Sequence, residues 1–203
     1  MQQIALPLRR NNGDGPERIV IGDANASTAE ALCEPKGWPY GTAILKGPPR
    51  SGKSLFLRWF SESGLGEVID NAPLMDEDAL FHRWNRAQES GTLLLLAAWD
   101  GDWKIHLPDL RSRLSAAMQL HIGPPDDRMA GELILSLAQQ RGLPLHPEAA
   151  AYLVPRVERS YIALERLVAA IDRISMERKA PPTLAIWRAA LDWMADRQPS
   201  RLP

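Results

Sequence analysis

Apolar residues fall in two rhythms along the chain, and the change between them lies near residue 123. Before it, short continuous runs alternate with longer stretches of helical period. Ala43-Ile44-Leu45 reads as a short buried strand, and Leu55-Phe56-Leu57-Arg58-Trp59-Phe60 as a helix that is apolar on most faces. Gly64-Leu65-Gly66 breaks the pattern, and Glu67-Val68-Ile69-Asp70 reads as a strand ending in a carboxylate. The short span from Lys53 to Asp70 leaves room for one helix and a direct return to a neighbouring parallel strand. Met75 to Gly91 is predicted helical: Leu80, Trp84 and Ala87 recur on one face with Phe81 beside them, Asp76 and Glu77 favour the start, and Gly91 stops it. Thr92 to Ala98 is apolar on both faces, as a central parallel strand is. Trp99-Asp100-Gly101-Asp102-Trp103 is then a loop at the ligand end of the sheet. Leu107-Pro108-Asp109 opens a helix carrying Leu110, Leu114 and Met118 on one face, with Arg111 and Arg113 pointing elsewhere, and Met118 to Ile122 reads as a last strand.

After Gly123-Pro124-Pro125-Asp126-Asp127 only helical period remains. Helices are predicted over Met129–Gln140, from His146-Pro147-Glu148, over Ser160–Glu177 and over about Thr183–Ala195. Tyr161, Leu164, Val168, Ile171 and Ser175 form the stripe of the third, and Leu184, Trp187, Leu191 and Met194 that of the fourth. The expected division is 1–17, a polar, Gly-rich and flexible start; 18–122, an α/β domain; and 123–203, a small all-helical domain. The start carries one apolar patch, Gln3-Ile4-Ala5-Leu6-Pro7-Leu8. Residues Ile4, Leu6, Pro7 and Leu8, with Gln3 as a polar anchor, suit a peptide that docks into a partner's groove, or equally a segment that packs on the body or stays unordered.

Composition narrows the class without deciding it. The 203 residues are 45% hydrophobic and 24% charged, enough for a folded protein with a real core. Lys and Arg number 24 against 25 Asp and Glu, so the broad basic surface of a nucleic-acid binder is absent overall. The single cysteine, Cys33, cannot form an internal disulfide and fits a reducing, cytoplasmic setting. The longest apolar run, Leu93 to Trp99, is far short of a membrane span. His82, His106, His121 and His146 lack metal-like pairing and read as solvated or packed.

The strongest chemistry is Gly47-Pro48-Pro49-Arg50-Ser51-Gly52-Lys53-Ser54, which has the spacing of the nucleoside triphosphatase phosphate loop. Gly47 and Gly52 let the backbone turn its N–H groups onto phosphate oxygens, Lys53 supplies a compact charge, and the Ser54 hydroxyl suits Mg²⁺. The flanking strand and helix are the context the motif needs, since the helix N-terminus adds its dipole to the anion site. Asp70 is placed to hold Mg²⁺ through water, and Ile21, in Arg18 to Gly22, to wall an adenine base.

A phosphate-loop α/β domain followed by a helical lid resembles the AAA+ ATPases, here with one strand and one helix missing from the usual five-stranded parallel sheet. Across nearly the whole chain the details resemble the DnaA-related regulators Hda, or HdaA. The likeness rests on Gln3 to Leu8, Ile19 to Asn25, Gly47 to Ser54, Val68-Ile69-Asp70-Asn71, Trp84-Asn85-Arg86 with Glu89-Ser90-Gly91, and Leu107-Pro108-Asp109-Leu110-Arg111-Ser112-Arg113-Leu114. The resemblance implies an inhibitor of replication initiation. It would bind the DNA polymerase III sliding clamp (beta) through the N-terminal peptide, hold ADP (or ATP) as a structural ligand, and stimulate ATP hydrolysis on DnaA. Arg113 falls on the arginine finger of that family. A homodimer fits an AAA+ module. Direct DNA binding is not expected, because the helix-turn-helix domain of DnaA has no counterpart here.

Departures from the pattern point to binding with little turnover. Asn71 stands where DnaA has a second acidic group, and an amide cannot polarise the attacking water as a carboxylate does. Asp100 is the first polar candidate after the central strand, and Ile162 falls on the lid's arginine position, with Arg159 and Arg166 nearby but out of register. Two other readings compete: an autonomous AAA+ ATPase such as a helicase loader or clamp-loader subunit, and a small-molecule kinase on a phosphate loop.

Overall fold

The structure, a computed structural model, describes residues 19–196. Among these residues four parallel strands form one sheet: β1 (Thr42–Lys46), β2 (Gly66–Ile69), β3 (Leu93–Ala97) and β4 (Met118–His121), in the order β2-β3-β1-β4. Helices α1 (Ala26–Cys33), α2 (Lys53–Glu62), α3 (Glu77–Ser90) and α4 (Pro108–Ala116) accompany the sheet, and α5 (Asp127–Gln140), α6 (Pro147–Leu153), α7 (Tyr161–Arg178) and α8 (Leu184–Ala195) follow.

Period-2 alternation in the two central strands sorts the helices onto the two faces. Ala43 and Leu45 of β1 and Leu95 and Ala97 of β3 pack with Leu32, Phe56, Leu57 and Phe60, from α1 and α2. Ile44 of β1 and Leu94 and Leu96 of β3 face the other way, onto Leu80, Trp84, Leu110 and Leu114 of α3 and α4. The register sets Ala43 beside Leu95 on one side and Met118 on the other. Trp38 stacks on Phe60, ring centroids 5.4 Å apart, and closes the α2 side.

One expectation about the sheet is overturned. The strand that ends at Asp70 does not return beside β1; β2 pairs with β3 alone, which lies between them. The doubly apolar run of β3 takes the central place, buried on both faces, whereas β2 carries Glu67 and is half-exposed at the border. Gly66 opens β2 because a Cβ there would lie 2.3 Å from the Leu93 carbonyl oxygen. Glu67 is held by Arg83 of α3 at 3.1 Å.

The remaining helices pack around a core of their own, with Ile134, Leu153, Leu164, Leu167, Val168 and Ile171 at its centre. Asp126 and Ser160 cap α5 and α7, accepting from the Met129 and Ala163 N–H groups. The α7 stripe is buried as its spacing requires. Of the expected α8 stripe, Trp187, Leu191 and Met194 pack partly buried against that core and Leu184 is 40% exposed, while Ile186 and Ala190 are buried outright. Helix α8 packs along α7, and small Ala190 is fully buried. Met129 of α5 and Tyr161 of α7 belong to the α1/α2-side core, Leu133 of α5 packs partly buried against both cores, and the Tyr161 hydroxyl donates to the Gly123 carbonyl at 2.9 Å. Burial, with the Asp126 charge second, pushes that phenol up to about 12. None of the helices among the described residues is long and apolar enough to cross a membrane.

Candidate nucleotide site

The loop between β1 and α2 is built around positions where only a bare or left-handed backbone fits. A Cβ on Gly47 would meet Ile122 Cβ and O at 3.0 Å. Gly52 has φ 90° and caps α2, its carbonyl accepting from the Leu55 and Phe56 N–H groups. Arg50 also sits at positive φ, 65°, which for a side-chain-bearing residue costs roughly 1–2 kcal/mol. Ser51 is buried with an unpartnered hydroxyl, and Pro48 and Pro49 stiffen the loop's rise. The first N–H groups of α2 therefore open onto the loop's concavity, where an anion is favoured.

Lys53 and Ser54 occupy the first turn of α2. The Lys53 ammonium donates to the carbonyls of Gly47 at 2.8 Å and Pro48 at 2.9 Å. Burial lowers its pKa from the ordinary value, and the Asp70 and Asp100 charges offset part of that. The Ser54 hydroxyl donates to Asp70 Oδ2 at 2.6 Å, and the other carboxylate oxygen accepts from the Asn71 N–H at 2.9 Å. Gly47 to Ser54 and Asp70 are thus one cluster. Its donor set fits a nucleotide phosphate with a hard cation: backbone N–H groups and Lys53 for the anion, Ser54 and Asp70 for Mg²⁺. No cluster of three or more His, Cys, Asp and Glu suited to a metal occurs among the described residues, so such a cation would need phosphate and water oxygens to complete its shell.

Ile21 is half-buried against the α1/α2-side core, and Gly22 beside it lies so close to α5 that a Cβ would stand 3.0 Å from Met129 Cβ. Asn25 pins this segment, accepting from the Gly22 N–H and donating to the Val20 carbonyl. Asp100 lies across β1 from His121, 3.2 Å away, and both are exposed. Arg159 pairs with Asp127 at 2.9 Å, and Arg166 is exposed on α7.

Arg113 is held elsewhere. Its guanidinium lies over the Phe81 and Trp84 rings and donates to Asn85 Oδ1, all on α3. The sequence reading pointed it away from the packed face; in the structure it is half-buried against aromatic rings. Two further contacts escaped sequence reasoning. Glu165 of α7 reaches the phosphate loop and pairs with Arg50 at 3.3 Å, and the Glu77 carboxylate accepts from the His106 and Leu107 N–H groups just before α4. Neither leaves a local signal, because the partners are far apart in the chain.

The expected clamp-binding residues Gln3, Ile4, Leu6, Pro7 and Leu8 lie outside the described residues.

No protein-family model matches the chain. A Haemophilus influenzae protein, named only as uncharacterized, is 29% identical over 119 residues, which is 57% of this chain and 52% of that protein. The chain thus spans about half the length of that curated relative. Among solved structures, domain III of the Thermotoga maritima replication initiation protein DnaA is similar with a TM-score of 0.72 at 14% identity, over 90% of this chain and 97% of that one. The Thermotoga maritima RuvB Holliday junction branch migration motor gives 0.62 at 16% identity, over 85% and 70%. AMPPCP-bound DnaA from Aquifex aeolicus gives 0.60 at 15% identity, over 79% and 67%. At these identities the likeness is one of fold, and the fold is that of the P-loop AAA+ ATPase domains: a reduced four-stranded parallel sheet with an all-helical companion.

Proposed function

We propose that this chain is a nucleotide-bound regulator of replication initiation, which holds ADP for its shape and stimulates ATP hydrolysis on DnaA. The observation that carries the reading is the Ser54 hydroxyl on Asp70 at 2.6 Å, with the neutral Asn71 next in the chain. That pairing is a cation site without a second carboxylate to activate water, so it supports binding more than turnover. In this reading residues 18–122 form the nucleotide domain and 123–203 the lid, while 1–17 tether the molecule to the sliding clamp through Gln3, Ile4, Leu6, Pro7 and Leu8. Gly47 to Ser54, Asp70 and Ile21 would hold ADP and Mg²⁺. The ligand supplies negative charge and an adenine face that the two domains close on. Arg113 would stabilise charge on a triphosphate held by DnaA, a role worth about 10³–10⁵ in rate in other systems.

The test measures ATP hydrolysis by DnaA in the presence of this protein and clamp-loaded DNA, and by this protein alone. Stimulation of DnaA, lost in Arg113→Ala, is expected, with little turnover by the isolated chain. Gln3→Ala combined with Leu6→Ala is expected to lose clamp binding and keep nucleotide binding. Rapid hydrolysis by the isolated chain, abolished by Lys53→Ala, would instead make it an autonomous ATPase.

A further inference from the structure

Arg113 occupies a site built for it. The guanidinium carbon lies 4.4 Å from the Phe81 ring centroid and 4.5 Å from that of Trp84, and a terminal N–H donates to Asn85 Oδ1. Residues 81, 84 and 85 share one face of α3, the i, i+3, i+4 spacing of a helix. The first turn of the same helix grips the approach to α4: the Glu77 carboxylate accepts from the His106 and Leu107 N–H groups. Helix α4, which carries Arg113 near its end, is therefore anchored to α3 at both ends.

The clamp uses what distinguishes arginine from lysine. Rings can cover a planar guanidinium without consuming its donors, which lie along its edge. Five N–H groups lie on that edge, and the one hydrogen bond Arg113 makes to a side chain among the described residues is to Asn85. The remaining edge stays available for two parallel contacts to a phosphate. A long side chain held this way has lost its rotational freedom before any partner arrives; where it meets the phosphate in the transition state, that saving is read in the rate within the complex.

We propose that Phe81, Trp84 and Asn85 are positioning residues that pre-orient Arg113 for a triphosphate bound to a neighbouring molecule. This rests on the reading of Arg113 as the group offered to that neighbour. The experiment follows DnaA–ATP hydrolysis against the concentration of this protein on clamp-loaded DNA, for the wild type, Arg113→Ala, Phe81→Leu, Phe81→Tyr and Asn85→Ala. Arg113→Ala is expected to abolish stimulation. Phe81→Leu and Asn85→Ala should lower the maximal rate about five- to tenfold at an unchanged half-saturating concentration, and Phe81→Tyr, which keeps the ring, should retain it. In the free protein, the Arg113 Nε–H proton resonance should lie upfield under the rings and return toward its ordinary position in Phe81→Leu. If Phe81→Leu does not fold, Asn85→Ala, at a half-exposed position, carries the comparison. An inert Arg113→Ala with Phe81→Leu or Asn85→Ala as fast as wild type, or faster, would overturn the positioning role alone. Full stimulation by Arg113→Ala would remove the arginine-finger reading and this proposal with it.

Discussion

At Gly66 the fold depends on a hydrogen atom. Any side chain there drives a Cβ to 2.3 Å from the Leu93 carbonyl oxygen, which is backbone and cannot step aside. Gly66→Ala should destabilise the protein by about 1–3 kcal/mol, the usual cost of forcing volume into a packed place, and calorimetric melting would register it. Lys53 makes a second prediction, about pH. Its pKa is lowered mainly by burial, so in the folded protein the ammonium discharges at lower pH than in an unfolded chain. An arriving phosphate favours the charged form and raises the pKa again. ADP affinity should therefore fall as pH rises through the lowered lysine value, with proton uptake on binding between that value and the raised one. Isothermal titration in buffers of different ionisation enthalpy measures both. Affinity that is flat through the lysine range would remove Lys53 from the phosphate contact. In the ligand-free protein the sign is opposite: folding is disfavoured by the buried charge until it is lost, so stability rises with pH across the same window.

At the scale of elements, α3 organises more than its own length. Its first turn holds the backbone ahead of α4 through Glu77, whose carboxyl is lowered below its ordinary 4.5, first by the His106 N–H and then by that of Leu107. A depressed carboxylate contributes stability above its unfolded pKa and loses it as pH falls through the folded one. The His106 and Leu107 amide resonances should thus titrate together at a pH below the ordinary glutamate range, and Glu77→Gln should erase that transition. Much at this level was legible in the chain. The starts and stops of α3 were written in Asp76, Glu77 and Gly91, and β3 in a run apolar on both faces. What escaped was whatever depends on two elements meeting. In α8 the expected Trp187, Leu191 and Met194 do reach the core, but that Ile186 and Ala190 lie deepest is decided only where the helix meets its neighbours. Phe81 and Trp84 were legible as a packed stripe, but their use as a seat for Arg113 exists only once α4 lies across them. The phosphate loop was readable because its chemistry is local, with every fixed position in eight consecutive residues. Asp70 was readable because a strand end pointed it there. Glu165, more than a hundred residues from Arg50, was not.

For the molecule as a whole, the sheet and the helical bundle share packing through Met129 and Tyr161, next to the Gly22 segment. A ligand held between the Ile21 segment, the phosphate loop and the lid would stabilise both cores together. ADP at about a thousandfold its dissociation constant should add about 4 kcal/mol, seen as one cooperative melt shifting upward. No shift in the wild type, or an equal shift in Lys53→Ala, would count against the nucleotide reading. The loop-to-lid pair, exposed at Arg50 and half-buried at Glu165, contributes only about 0–1 kcal/mol by itself, so the shared apolar packing supplies the larger part of the coupling.

The border position of β2 has a cost that appears only when molecules are crowded. Among the described residues no strand lies beyond it, so one row of its backbone donors and acceptors has no strand partner there. Such a seam invites extended segments of other chains to zip on. Here it is guarded by brevity, four residues, and by the charge of Glu67 leaning on Arg83. Glu67→Val would keep the monomer folded while stripping the guard, and concentrated solutions of it should turn turbid where the parent stays clear.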